Sequence, residues 1–304
     1  MATRHAALKR LLGRLVASPV LWALRRTALP AGLAVYYHRV GDPQGDPRRE
    51  LVPQMGTDLF SGQVRYMRRH FELVRASELP DAVRRRRPGE RFPLAITFDD
   101  DLASHRRVAL PLLAAAGAPA TFFVSGASLE RPSWFWWEAL DARGGDVLAE
   151  AQRILALDAA SRRTATTALL EAAGDPPPEA GMRGEDIAAL ATAGHEIGFH
   201  TRDHLVLPAL DEEALADAMT DGREAVERFA GGRLTSIAYP HGRCDARVAA
   251  AARRAGYATG FSTAESAVRP EHDPLALGRL EGPFSSVGHL AFVLARTLLG
   301  GYRS

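Results

Sequence analysis

The 304-residue sequence predicts an α/β protein, a deformed (β/α) barrel of seven or eight strands with one insertion. Three observations carry that expectation. Short apolar, β-rich runs alternate with helical patterns through most of the chain. The runs are apolar on both faces, as parallel strands covered by helices must be. Several of the helices between them end at a glycine, which tolerates the left-handed turn that terminates a helix. A hydrophobic content of 46% and a charged content of 24% supply an ordinary globular core and surface.

Taken in order, the strand candidates are Leu33–Tyr37, Phe71–Val74, Leu94–Phe98, Ala120–Val124, Glu196–His200, Ser236–Tyr239 and Tyr257–Phe261, with a weaker eighth near Gly278–Leu280. Among the helices, Ser104–Ala116 stops at Gly117, Glu185–Ala193 at Gly194, and Arg247–Ala255 at Gly256. One segment breaks the rhythm, from Ser128 to about Arg183. It holds Trp134-Phe135-Trp136-Trp137, a helical Ala/Leu stretch and a stiff exit at Pro176-Pro177-Pro178. It reads as an insertion, about 128–183, within a single domain over 31–304.

Residues 1–30 form a separate basic segment. Leu8, Leu11, Leu12 and Leu15 recur at helical spacing with Lys9, Arg10 and Arg14 among them, which predicts an amphipathic helix lying on its own domain or on a membrane surface. Residues 1–91 hold 18 basic and 8 acidic side chains, a net of +10, and the rest nets −8. Peripheral contact with an anionic membrane is one reading of that asymmetry; a solvated arginine face at Arg84–Arg87 is the other. No apolar run reaches the ~18 residues of a spanning helix, and Leu15–Leu24 is interrupted by Pro19. Secretion stays open. No nucleic-acid partner is expected. Cys244 is the only cysteine, so neither an internal disulfide nor a thiolate metal cluster can form.

Three strand ends carry polar residues where barrel enzymes place their chemistry. The first reads Ile96-Thr97-Phe98-Asp99-Asp100-Asp101. Neighbouring residues of a strand face opposite ways, so Asp99 and Asp100 converge only if the chain turns there. Helix capping would explain one of these aspartates but not two. The second runs Gly194-His195-Glu196-Ile197-Gly198-Phe199-His200-Thr201-Arg202-Asp203-His204. One turn after the strand would bring His200 and His204 together, and with one carboxylate they form a His₂–Asp set suited to zinc or another divalent ion. His195 reads as structural. The third is Tyr239-Pro240-His241-Gly242, a rigid turn able to aim a backbone N–H into a site.

Thr-Phe-Asp-Asp, then His-Thr-x-x-His, then Tyr-Pro-x-Gly, on successive strand ends, resembles the NodB-type polysaccharide deacetylase family over roughly Leu33 to Leu280. The resemblance implies Asp99 as general base, Asp100, His200 and His204 as ligands of one divalent metal ion, zinc being expected, and the Tyr239 N–H as an oxyanion donor. It implies hydrolysis of an N-acetyl amide on a sugar or polysaccharide. The sequence departs from the family where Asp101-Leu102 stands in place of Gly-Tyr, where Ala238 occupies the slot before Pro240 that often holds arginine, and where Leu275–Leu280 lacks a Leu-x-His motif. The acid must then come from elsewhere. Tyr36-Tyr37-His38-Arg39 resembles the opening motif of relatives acting on poly-N-acetylglucosamine, which implies His38 as the acid. Trp136 and Trp137, with Trp134, either stack on sugar rings or form the insertion's own core. Tyr239 and Pro240 are further substrate contacts, and His105, Glu138 and His241 could border the site. A barrel hydrolase of another C–N amide bond and an inactive sugar-binding relative are the rival readings.

Overall fold

The computed structural model describes residues 17–42, 51–129, 133–176 and 180–300; the Leu8–Leu15 helix expected from spacing lies outside them. Among the described residues eight strands form one sheet: β1 (Leu33–Tyr37), β2 (Glu72–Val74), β3 (Pro93–Asp99), β4 (Thr121–Val124), β5 (Glu196–Phe199), β6 (Ser236–Ala238), β7 (Thr259–Phe261) and β8 (Leu280–Glu281). Their order is β7-β6-β5-β4-β3-β1-β8 and every strand pair is parallel. β2 and β4 share one side of β3, β2 against Pro93–Ala95 and β4 against Thr97–Asp99.

Alternation along the strands divides the core. Leu33, Val35 and Tyr37 of β1, Leu94, Ile96 and Phe98 of β3, and Ile237 and Tyr239 at β6 join one cluster that faces the surrounding helices. Ala34, Ala95, Phe123, Ala238, Phe261 and Leu277 join a second cluster, which fills the barrel interior. Gly198 sits on that inner face, where an added Cβ would lie 2.5 Å from the Phe123 ring and 2.7 Å from Ser236 Oγ. Only glycine lets β5 curl this tightly.

The curl is closed by the chain's last strand segment. Leu277 N–H donates to the Gly260 carbonyl (2.9 Å) and Ser262 N–H donates to the Leu277 carbonyl (2.7 Å). Three residues on, β8 pairs with β1 through Val35–Leu280 and Tyr36–Glu281. The segment 277–281 therefore joins the two edges of the sheet, β7 and β1.

Residue 17–25 form helix α1, and the remaining helices used below are α2 (Thr57–His70), α3 (Leu79–Arg85), α4 (Leu110–Ala116), α5 (Trp136–Arg143), α6 (Val147–Leu155) and α7 (Ala159–Ala173). The segment after β4, expected to be an insertion, holds α5, α6 and α7, with a small core of Leu140, Val147, Ala151, Ile154 and Leu169. Asp146 and Asp158 accept from the Ala149 and Ser161 N–H groups and cap α6 and α7. Arg39, next to His38, holds the insertion in place: its guanidinium lies 3.2 Å from Glu138 Oε1 and 3.7 Å from Asp141 Oδ2.

Candidate active site

Asp99 points into the barrel because it shares the inner face with Ala95 and Thr97. Asp100 would point the other way in a continuing strand. Instead β3 ends, and Asp100 takes a left-handed φ of 74° that swings its carboxylate over the barrel mouth. Thr201 (52°), His204 (47°) and His241 (57°) share that backbone region, and these four are all the non-glycine residues with positive φ among the described residues. Left-handed backbone costs such residues about 1–2 kcal/mol each. All four lie in the loops that follow β3, β5 and β6, where strain is stored at a site.

Asp100 Oδ1 lies 3.5 Å from Nε2 of His200 and 3.5 Å from Nε2 of His204. The ligand atoms of the three residues all fall within 4.8 Å of one another. His200 Nδ1–H donates to the Ala238 carbonyl at 2.8 Å, so its Nε2 lone pair is turned toward Asp100. Asp100 Oδ1 is buried and accepts no hydrogen bond from protein. Burial, then the charges of Asp99, Asp101 and Glu138, push the Asp100 carboxyl well above the ordinary range. Burial pushes His200 and His204 down. An orphaned carboxylate oxygen facing two neutral imidazoles fits a divalent cation, which would reverse both penalties.

Asp99 is tied differently. Arg279, fully buried, donates from Nη1 to Asp99 Oδ1 and from Nη2 to Oδ2, both at 2.7 Å. The same guanidinium reaches Thr97 Oγ1 (3.1 Å) and the Ser262 carbonyl (3.2 Å). Burial alone would raise the Asp99 pKa; the charge and hydrogen bonds of Arg279, with help from His200 and His38, outweigh it and hold it at about 2. His38 completes the group from the end of β1. Burial lowers its pKa to about 4 against the upward pull of Asp99.

His38, Asp99, Asp100, His200 and His204 line a cavity of about 310 Å³ with Tyr36, His241, Trp136, Trp137 and Leu155. Trp137 is buried, stacked on Phe135 at 4.3 Å and 4.8 Å from the His204 ring. Trp136 meets Trp137 edge-on at 5.8 Å. Both tryptophans thus serve the insertion's packing and the cavity wall at once, whereas Trp134 lines an adjoining hollow.

Two expected contacts need correction. Tyr239 lies on the outer side of β6 by strand parity, with its hydroxyl donating to the Leu275 carbonyl (2.6 Å) and its N–H to the Phe261 carbonyl (2.9 Å). That N–H is spent on the sheet and does not face the cavity. Pro240 is buried at the start of the turn, and it is His241 and Gly242 that reach the cavity wall. Other residues of the motifs are structural. Asp101 accepts from Ser125 N–H (2.6 Å), Ser125 Oγ (2.8 Å) and Ala127 N–H (3.0 Å), so it braces the loop after β4. His195 accepts the Ala120 N–H, and His105 donates from Nε2 to the His38 carbonyl at 3.0 Å, behind the cavity. Half-buried Cys244 has its thiol pKa pushed up by burial to about 11, which leaves it unreactive.

Arg279 is the residue that sequence reasoning missed. Its signal was faint: Arg279 follows Leu277 by two residues, Leu277 faces inward, and an arginine on that face demands a carboxylate. Ala238 leaves β6 without a cation there, and the one beside Asp99 comes from the opposite edge of the sheet.

The curled parallel sheet, with its polar cluster at the strand C-termini, is a deformed barrel of the NodB-like type. Residues 86–260 match the polysaccharide deacetylase family, and the chain belongs to that family. Among curated proteins, YxkH of Bacillus subtilis (strain 168) is 30% identical over 96 residues, 32% of this chain and 34% of that one. The chain therefore matches about a third of that relative's length. Among solved structures, a Streptococcus pyogenes deacetylase, PplD, in complex with acetate superposes with a TM-score of 0.61 at 18% identity, covering 83% of this chain and 92% of that one. IcaB from Ammonifex degensii gives 0.60 at 21% identity, covering 86% and 97%. At those identities the likeness is one of fold.

Proposed function

We propose that this protein hydrolyses the N-acetyl amide of a sugar and releases acetate, with one divalent ion, zinc the first choice, held by Asp100, His200 and His204. The observation that carries the reading is the meeting of that cluster with the Arg279-tethered Asp99 and with His38 in one cavity. A divalent ion bound there would polarise the amide carbonyl and lower the pKa of a water molecule. Asp99 accepts the proton of the attacking water. Arg279 engages one lone pair on each carboxylate oxygen, and the others stay available. His38 protonates the leaving amine. With a pKa of about 4 it enters the reaction neutral. The proton that Asp99 removes from water passes to His38 as negative charge develops on the substrate, since a nearby anion favours imidazolium, and goes on to the amine nitrogen as the C–N bond breaks. His241, at the cavity wall, replaces Tyr239 as the contact for the acyl oxygen, and Trp136 and Trp137 give a sugar face an apolar wall.

The Tyr36-Tyr37-His38-Arg39 opening makes poly-N-acetylglucosamine the first substrate to try. Acetate release should be followed across N-acetylated sugars with the metal stripped and then restored. Release that vanishes and returns with the ion is expected. A protein that leaves every acetylated sugar intact but cleaves another amide in the presence of metal belongs to the rival hydrolase class. One that binds sugars with no turnover is the inactive relative.

A further inference from the structure

We propose that the end of the barrel opposite the active site is a docking face for an anionic lipid bilayer. Arg91 precedes β3, Phe71 and Glu72 open β2, and Pro119 precedes β4, so the hollow they share lies at the N-terminal ends of the strands. This hollow, about 810 Å³, is walled by Arg25, Arg68, Arg85, Arg86, Arg87 and Arg91 against only Glu72 and Glu90. Arg86 fixes its shape by donating to the carbonyls of Arg25, Thr27, Leu29 and Glu90. Arg68, Arg85 and Arg87 remain exposed at the rim.

A second observation favours a bilayer over a small soluble anion. Helix α1 buries Ala17 and Leu21 and turns Trp22 outward, 59% exposed, with the Arg26 guanidinium 3.3 Å from its ring centroid. A smaller hollow under α1 is lined by Trp22, Arg25, Arg69 and His70, so Arg25 makes the tryptophan and the arginine-walled hollow one continuous face. An exposed indole set among arginines matches the headgroup region, where the ring sits at the interface and the cations meet lipid phosphate. Among the described residues no helix is long and apolar enough to cross a membrane, so this contact is peripheral. β3 spans seven residues, about 20 Å, between the two ends. A docked molecule would present its cavity to the aqueous side.

The test is sedimentation of the full chain with vesicles of phosphatidylcholine alone or mixed with phosphatidylglycerol, at low and high salt. Binding should require the anionic lipid and weaken with salt. An arginine near such a surface is worth roughly a five-fold change in partitioning, so Arg85→Gln/Arg87→Gln should weaken binding by roughly 25-fold, with Trp22→Ala weakening it independently. Unchanged acetate release from a soluble substrate and an unchanged unfolding temperature show that these variants are folded. Equal binding to neutral vesicles, full binding by the double variant, or retention on heparin without retention on anionic vesicles would each overturn the proposal. The catalytic reading would stand in every one of those cases.

Discussion

Asp99 and Asp100 are adjacent in sequence and opposite in circumstance. One carboxylate is gripped by a guanidinium and held at about 2; the other has a bare buried oxygen and is pushed up. They should therefore fail differently. Asp99→Asn should keep its metal and lose turnover by roughly 10²–10⁴-fold, the span for loss of a general base. Asp100→Asn should lose the metal itself, as should His200→Ala. His38→Ala should resemble the first of these, with full metal content and low turnover. Metal analysis beside initial rates separates the cases, and equal metal and equal rate in both aspartate variants would dismiss the assignment. The meeting of His200 and His204 was legible in the sequence because one turn after a strand brings two such histidines together, whereas Asp100 as their carboxylate came from the family resemblance. The Tyr239 N–H was misread because its motif was weighed without the neighbouring strand: β7 offers the Phe261 carbonyl that takes up this N–H, and the turn past Pro240 had to be followed to reach His241.

At the level of elements, short apolar runs located seven strands to within a residue or two and marked the eighth only weakly, and Gly117, Gly194 and Gly256 end their helices with φ of 57°, 88° and 85°. The segment after Asp101 was harder. What reads as one helix begins as a π-helical stretch, His105–Ala109, before the regular turns of α4. Wide turns of this kind recur at functional sites. Here the stretch seats His105 against Phe98 (5.1 Å) and Phe122 (5.5 Å), where burial lowers its pKa to about 4. The unfolded chain would bind a proton at this ring below pH ~6.5; the folded chain resists it until about 4. Its contribution to stability is thus complete above pH ~6.5 and is lost as pH falls toward 4, amounting to about 3 kcal/mol. Thermal unfolding of metal-free protein between those limits should show the decline. His105→Gln, which can still donate to the His38 carbonyl, should flatten it by about one proton's worth; an unaltered slope would place the titration elsewhere.

For the whole molecule, the segment 277–281 matters more than its length suggests. β8 has only two residues, too few for periodicity to register, yet the segment joins β7 to β1 and carries Arg279. Arg279→Met should strand a buried carboxylate and lower stability by about 3–5 kcal/mol. Denaturant unfolding would read that loss, and metal analysis should find the triad still loaded. A variant as stable as the parent would mean that Asp99 finds its counter-charge elsewhere. The partners of this pair stand 180 positions apart in the chain. A ribosome making this protein releases Asp99, both histidines and most of the barrel before it has translated the codon for Arg279. Until then the nascent barrel holds a carboxylate with no cation beside it and a seam still open. Sealing the seam and setting the charge state of Asp99 become a single late event, so the site is assembled only once the chain is nearly finished.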